Sequence, residues 1–267
     1  MIESNATLEQ RNQAYFDSFD SMNVAPWILD LSKQINSEIL GRLSWIGIPT
    51  SPEDGSTGCN KKTYSFRLLD YACGEGVISR GIFDYIDEAW GIDLSSRMVN
   101  SFNQRAAALD IPNRKRMFAV QGDLLAPSSP NSGNSFAGKE WFEFDLAIMT
   151  MALHHVGSPE DAVKMLVSRV KVGRPVLLVD WIPGTAVGEE GTAAYNGHGK
   201  HAHEMMPGTH TVTRDGFTKN EMVRMLEEAG CVDVGFTEAE DLSHLDLGET
   251  RMWRRLFFAK GVKGVQQ

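Results

Sequence analysis

The sequence predicts an α/β protein: a doubly wound, mostly parallel sheet of seven strands with helices on both faces. Short apolar runs alternate with helical periodicity from about residue 66 to residue 260. Acids stand at or just beyond the ends of the first three runs, at Asp70, Asp93 and Asp123. The first run, Leu68-Leu69-Asp70-Tyr71-Ala72-Cys73-Gly74-Glu75-Gly76, passes through a glycine-rich turn into a helix. That helix is expected because Val77/Ile78, Gly81/Ile82 and Tyr85/Ile86 recur at four-residue spacing.

Before this turn, Gln13 to Asp17 reads as a first helical turn. Trp27, Leu31, Ile35, Ile39 and Leu43 then mark an amphipathic helix begun near Pro26. Thr50 to Thr63 is a polar connector. The second strand is Ala89 to Ile92, with Ser95 as the cap of the next helix. Met117 to Gln121 is the third strand, and Ala126 to Gly138 a loop rich in Ser, Pro, Asn and Gly. Phe144 to Met149 is the fourth, running into Thr150-Met151-Ala152-Leu153-His154-His155-Val156. Ser158-Pro159-Glu160 starts a helix buried through Ala162, Val163, Leu166, Val167 and Val170. The unbroken apolar run Val176 to Val179 suits a strand covered on both faces and ends at Asp180-Trp181. A capping box, Thr218-x-x-Glu221, opens the last helix and Gly230 stops it. Val232 to Phe236 and Leu256 to Lys260 complete the strands.

In such a sheet an adenosine-containing ligand lies over the first strand-to-helix turn. Glycines let the backbone approach it, and the helix amino end offers free N–H groups. Charge selects the ligand. A dinucleotide needs a pyrophosphate here, but Asp70 and Glu75 would repel it by several kcal/mol. Ser79 also stands where that fingerprint wants a third small glycine or alanine. A ligand with an amine, a sulfonium and one carboxylate suits two acids better, and that ligand is S-adenosylmethionine. Asp93, 19 positions beyond Gly74, fits the spacing of an acid that binds ribose hydroxyls.

Asp70-x-Ala72-Cys73-Gly74-Glu75-Gly76 resembles the first motif, D/E-x-G-x-G-x-G, of class I S-adenosylmethionine-dependent methyltransferases. The resemblance runs from about Phe66 to Lys260 and is nearest to the small-molecule branch of ubiquinone, menaquinone and natural-product enzymes. It implies a Rossmann-like sheet whose last strand is antiparallel. Ala72 replaces a glycine, and the turn stays feasible if that residue keeps a negative φ. The resemblance further implies cofactor contacts from Asp70, Gly74 and Gly76 to the methionine part and from Asp93 to the ribose, with Ala72, Cys73 and Leu94 also cofactor-binding. Asp123 with Met98 falls at the adenine, with capping of the next turn as the competing role of Asp123, and Gly122, Leu124 and Met149 are cofactor-binding too. Met98 reads equally as core, and Cys73 as a small packing residue. The resemblance also places an amino-terminal helical segment, 1–48, over the pocket of the domain 64–260, with Tyr15 touching the ligand or packing in the core.

Strand ends four and five face the methyl group in this family, which singles out His154, His155 and Asp180. A histidine oriented by a carboxylate can act as base for an acceptor that carries a proton; capping or packing is the competing role. The insertion 182–217 holds His198, His201, His203 and His210. With Trp181 they are expected to line an acceptor pocket. Their spacing invites a metal reading, but no matching acid and several glycines argue for a site without metal.

Composition limits the partners. A net charge of −9 argues against a nucleic-acid surface. Three cysteines without C-x-x-C spacing argue against a disulfide framework, and no run reaches membrane-spanning length. The expectation is a cytoplasmic enzyme that methylates an O, N or S atom of a small molecule, with oligomeric state left open. The alternative is a methyltransferase-like protein that transfers no methyl group.

Overall fold

The computed structural model describes residues 6–19, 24–50, 65–112, 115–126, 136–184, 186–187, 209–247 and 250–265. Helices α1 (Leu8–Asp17), α2 (Pro26–Leu40) and α3 (Leu43–Ile46) precede the sheet. Its first half runs β1 (Arg67–Tyr71), α4 (Val77–Gly81), β2 (Glu88–Asp93), α5 (Ser96–Ala107) and β3 (Arg116–Gln121). The second runs β4 (Leu146–Thr150), α6 (Pro159–Arg169), β5 (Pro175–Trp181), β6 (Ala186–Val187) and α7 (Lys219–Glu228). Strands β7 (Cys231–Glu238), β8 (Ser243–Leu247), β9 (Thr250–Arg254) and β10 (Leu256–Lys263) close the chain.

The main sheet has the order β3-β2-β1-β4-β5-β10-β7. Its first five strands are parallel, and β10 lies antiparallel between β5 and β7. This is the expected seven-stranded sheet with an antiparallel last strand. All seven residues of β5 are buried, which explains its unbroken apolar run. One face is covered by α2 and α3 through Leu31, Ile35, Ile39, Leu43 and Ile46. On the other, α6 and α7 bury Val163, Leu166, Met222 and Leu226. At the β3 edge, the Asn103 side chain donates to the Ala119 carbonyl at 2.9 Å and accepts from its N–H at 2.8 Å. A side-chain amide therefore occupies backbone groups that a further strand would need.

Four elements differ from expectation. Gln13 to Asp17, read as a first helical turn, are instead the end of α1, which starts at Leu8 behind a Thr7–Gln10 capping box. Helix α2 ends at Leu40, and α3 resumes after Gly41-Arg42, closing at Gly47 with φ +95. Helix α4 stops at Gly81 and gives way to a 3-10 turn, Phe83–Tyr85, although Ile78, Ile82 and Ile86 are all buried. Four-residue spacing marked the buried face, not an unbroken helix. A Cβ on Gly81 would lie 1.9 Å from Asn36 Oδ1, so α4 meets α2 closely at that point. Finally, β6, β9 and β8 form a second sheet that was not expected. Its hairpin pairs Asp246 with Arg251, bridged at 2.6 Å, and Ser243 ties it to Gln34 of α2 at 2.7 Å.

Candidate active site

At the carboxyl end of β1, Asp70 is buried and its Oδ2 accepts from the Ser79 hydroxyl at 2.6 Å. Its Oδ1 is buried without a hydrogen-bond partner among the described residues. Burial pushes the carboxyl up to about 7, with Ser79 pulling it down and the Asp93 charge adding to the rise. Ser79, read from sequence only as a break in a dinucleotide motif, is thus the partner of the motif's acid.

The turn that follows corrects one expectation. Ala72 has φ +56, in the left-handed region, rather than a negative φ. Cys73 N–H still donates to the Ile92 carbonyl at 3.1 Å, so the chain must kink sharply while staying tied to β2. An alanine held there costs about 1–2 kcal/mol. Gly74 has φ +52 and nothing within 4 Å of a built Cβ, an open cradle. Gly76, at φ +74, lies against Phe102, where a Cβ would sit 2.4 Å from the ring. Cys73 packs with Val99, Phe102 and Ala119, and burial raises its thiol well above the ordinary value.

Glu75 is not the bare charge it looked in sequence. Its Oε2 lies 2.8 Å from Arg105, while Oε1 is buried without a partner among the described residues. The repulsion expected for a diphosphate therefore rests mainly on Asp70 and Asp93. Asp93 accepts from Gly74 N–H at 2.8 Å and from Ser95 N–H at 2.9 Å. Burial raises its pKa, these N–H groups pull it back, and Asp17 pushes it up again. Ser95 caps α5 by accepting from Met98 N–H at 3.2 Å; Met98 is buried, and the half-buried Leu94 gives its carbonyl to Gln121. Asp123 accepts at Oδ1 from the Tyr71 hydroxyl at 2.5 Å and from Leu125 N–H at 2.8 Å. Gly122 faces Phe136, Leu124 is buried, and the Met149 side chain lies in the core.

Beyond β4 and β5 the structure brings His154, His155 and Asp180 together. His154 Nδ1 lies 2.7 Å from Asp180 Oδ1, and His154 N–H donates to Oδ2 at 3.1 Å. Trp181 N–H donates to Oδ1 at 2.7 Å. Burial alone would raise the Asp180 carboxyl, but the His154 charge and these donors outweigh it and hold it below the usual range. An ionised carboxylate only accepts, so His154 Nδ1 carries a proton, and the neutral tautomer of the ring has its lone pair on Nε2. His155 stacks at 4.2 Å from His154 and donates from Nδ1 to the Thr211 carbonyl at 3.0 Å. Burial, then the His154 charge, lowers its pKa to about 4, so it stays neutral. Met151, just before the pair, has φ +54, a left-handed strain that no residue type there announced.

Helix α1 lies across this end. Asn12 donates to the His155 carbonyl at 2.9 Å and Phe16 meets the His155 ring edge-on at 5.5 Å. Half-buried Tyr15 packs beside Phe16 and the exposed His210, ring to ring at 5.1 and 5.8 Å. Asp17 Oδ1 accepts from the Ser95 hydroxyl at 2.7 Å and from Arg97 N–H at 3.3 Å. Trp181 is buried among the core residues on the α2 side, under the Arg254 guanidinium at 5.1 Å. Its side chain follows strand alternation to that face. His198, His201 and His203 lie outside the described residues.

Residues 69–173 match the family model of a methyltransferase domain. With the strand order above, that match marks residues 69–173 as a methyltransferase domain on a Rossmann-like sheet, and the cofactor of such a domain is S-adenosylmethionine. The chain is 29% identical over 134 residues to an uncharacterized methyltransferase of Schizosaccharomyces pombe; the match spans 49% of this chain and 45% of that protein. Magnesium protoporphyrin IX methyltransferase of Synechocystis PCC 6803, with S-adenosylmethionine bound, has the same fold at TM-score 0.55 and 14% identity, over 98% of this chain and 99% of that one. The YcgJ protein of Bacillus subtilis is similar at TM-score 0.53 and 16% identity, over 77% and 95%. The residues present fit the cofactor. Asp70 Oδ1 is an unpartnered buried acceptor suited to an ammonium, and Gly74 leaves the approach open.

Proposed function

We propose that the chain transfers the methyl group of S-adenosylmethionine to a small-molecule nucleophile at O, N or S, with a secondary metabolite as its acceptor. One observation carries the finer reading. His154 Nδ1 lies 2.7 Å from a fully buried Asp180, the arrangement of an oriented base. It favours an acceptor that enters with its proton, an alcohol foremost. Asp70 would hold the ammonium, Asp93 the ribose, and Asp123 with Met98 the adenine. The cofactor supplies an electrophilic methyl group on a good leaving group. His154 Nε2 takes the acceptor's proton, and Asp180 offsets the imidazolium charge that forms. His155, neutral near pH 7 and donating from Nδ1 to the Thr211 carbonyl, packs against the His154 ring. The charge of −9 suits a small molecule rather than a nucleic acid, and no described helix is long and apolar enough to cross a membrane. A cytoplasmic location belongs to the same reading.

Calorimetry with S-adenosylhomocysteine and NAD tests the cofactor half; binding of the first alone is expected, and a preference for NAD would sink the proposal. Incubating the protein and extracts with methyl-labelled cofactor tests transfer. Cofactor binding without any labelled product would favour the non-transferring alternative.

In this reading α1 is a lid. It buries no residue of its own, so polar contacts hold it, and Asp17 at the amino end of α5 is the main one. Asp17→Asn should speed amide exchange across residues 8–17 about fivefold in deuterium-exchange mass spectrometry. Unchanged exchange would mean that the contacts at His155 suffice.

A further inference from the structure

Tyr71 is a buried phenol at the last position of β1, one residue beyond Asp70. Its hydroxyl reaches past the end of β2 to Asp123, 52 residues away in sequence, and donates to Oδ1 at 2.5 Å. Oδ1 also accepts from Leu125 N–H, while no described residue engages Oδ2. Two donors on one oxygen fix the rotation of a carboxylate and leave the other oxygen to receive a donor. We infer that Tyr71 is a positioning residue: its hydroxyl clamps Asp123 so that Oδ2 alone is presented to the amino group of the adenine. The inference rests on the reading of Asp123 as the adenine acceptor and adds what makes that acceptor selective.

A held carboxylate discriminates more sharply than a rotating one. Facing a 6-amino group it gains a charge-assisted hydrogen bond; facing a 6-oxo group it meets a second acceptor and cannot turn away. Tyrosine and phenylalanine fill the core alike at this position, so the hydroxyl can be removed without a cavity. A tyrosine kept only for packing, with Asp123 serving merely to satisfy its hydroxyl, would not influence which base is bound.

The probes are S-adenosylhomocysteine and S-inosylhomocysteine, which differ in the 6-amino or 6-oxo group of the base and in N1, an acceptor in the first and an N–H donor in the second. Calorimetry gives the ratio of their dissociation constants for the wild type, Tyr71→Phe and Asp123→Ala. Tyr71→Phe is expected to reduce the preference for the amino form about fivefold, the size of one lost hydrogen bond. Asp123→Ala should remove most of it. If Asp123→Ala collapses the ratio and Tyr71→Phe leaves it unchanged, the clamp is overturned while the adenine reading stands. If Asp123→Ala itself leaves the ratio unchanged, the adenine reading fails and takes the clamp with it. Should Tyr71→Phe fold poorly, Asp123→Asn provides the second route. It keeps Oδ1 as acceptor for the Tyr71 hydroxyl and turns an amide toward the base, so the preference should shift toward the oxo form; no shift would count against a clamped orientation.

Discussion

Replacing Asp70 by asparagine is expected to weaken S-adenosylhomocysteine binding about 100-fold or more while making the ligand-free protein more stable at pH 8. Both effects arise from one buried carboxylate. Loss of a desolvated charge pair costs about 3–5 kcal/mol, and each 1.4 kcal/mol is about tenfold in affinity. Without ligand, Asp70 has only the Ser79 hydroxyl against burial, and its carboxyl titrates at about 7. The unfolded chain releases the same proton near pH 4. Between these values the folded state binds the extra proton, so this group's contribution falls as pH rises through that window and is flat above it. Asparagine keeps an oxygen for Ser79 and carries no charge, so the variant should melt several degrees above the wild type at pH 8 and level with it near pH 4. The ligand's ammonium favours the ionised carboxylate. Affinity in the wild type should therefore tighten as pH rises toward about 7, by at most about tenfold per pH unit, with proton release on binding. Calorimetry in buffers of different ionisation enthalpy reads that release, and melting curves at pH 4 and pH 8 read the stability. A variant that binds normally, or melts lower at pH 8, would remove Asp70 from the site or show it already ionised at no cost.

This opposition of stability and binding explains why the donor half of the site was legible in the sequence. An acid at the end of an apolar strand, followed by glycines at fixed offsets, has no structural purpose of its own, and local spacing exposes it. Ser95 and the Thr218 capping box are legible for the same reason, since cap and recipient N–H lie three residues apart. What escaped was the through-space pairing: Tyr71 with Asp123, Asp17 with Ser95 and Asn12 with His155 lie 52, 78 and 143 positions apart. No periodicity couples such positions. The left-handed Ala72 and Met151 escaped because neither residue type favours that conformation. The β8–β9 hairpin is a different case. Its strands lie close in sequence, but Thr250-Arg251 and Met252-Trp253 stand as like pairs in Thr250 to Arg254, which breaks the alternation that marks a strand. Trp181 shows the limit of strand-end position as a signal: it does not say which face the side chain takes, and strand alternation sets Trp181 among the buried residues on the α2 side.

His154→Ala should lower turnover about 10²–10⁴-fold, the usual contribution of a general base, with the S-adenosylhomocysteine dissociation constant nearly unchanged. The two effects separate because the imidazole bonds to Asp180, with neither Asp70 nor Asp93 as a partner. The fold should survive, since Asp180 keeps two backbone donors, the N–H groups of residue 154 and Trp181. Asp180→Asn is the subtler probe. An amide can still accept from one backbone N–H, but it no longer offsets an imidazolium or fixes the tautomer with its lone pair on Nε2. Its turnover should fall almost as far, and with His154→Ala already in place it should cost little more, because the two side chains act as a unit. His155→Ala gives the contrast. That ring is neutral at pH 7 and tied to Thr211, so its loss should raise KM more than it lowers kcat, and any rise of rate with pH through the neutral range should persist. Multiplying effects of His154→Ala and Asp180→Asn would mean that the carboxylate braces the loop after β5 on its own account. Full turnover in His154→Ala would leave alignment and exclusion of water as the whole of the catalysis, and would point to an acceptor that arrives already deprotonated.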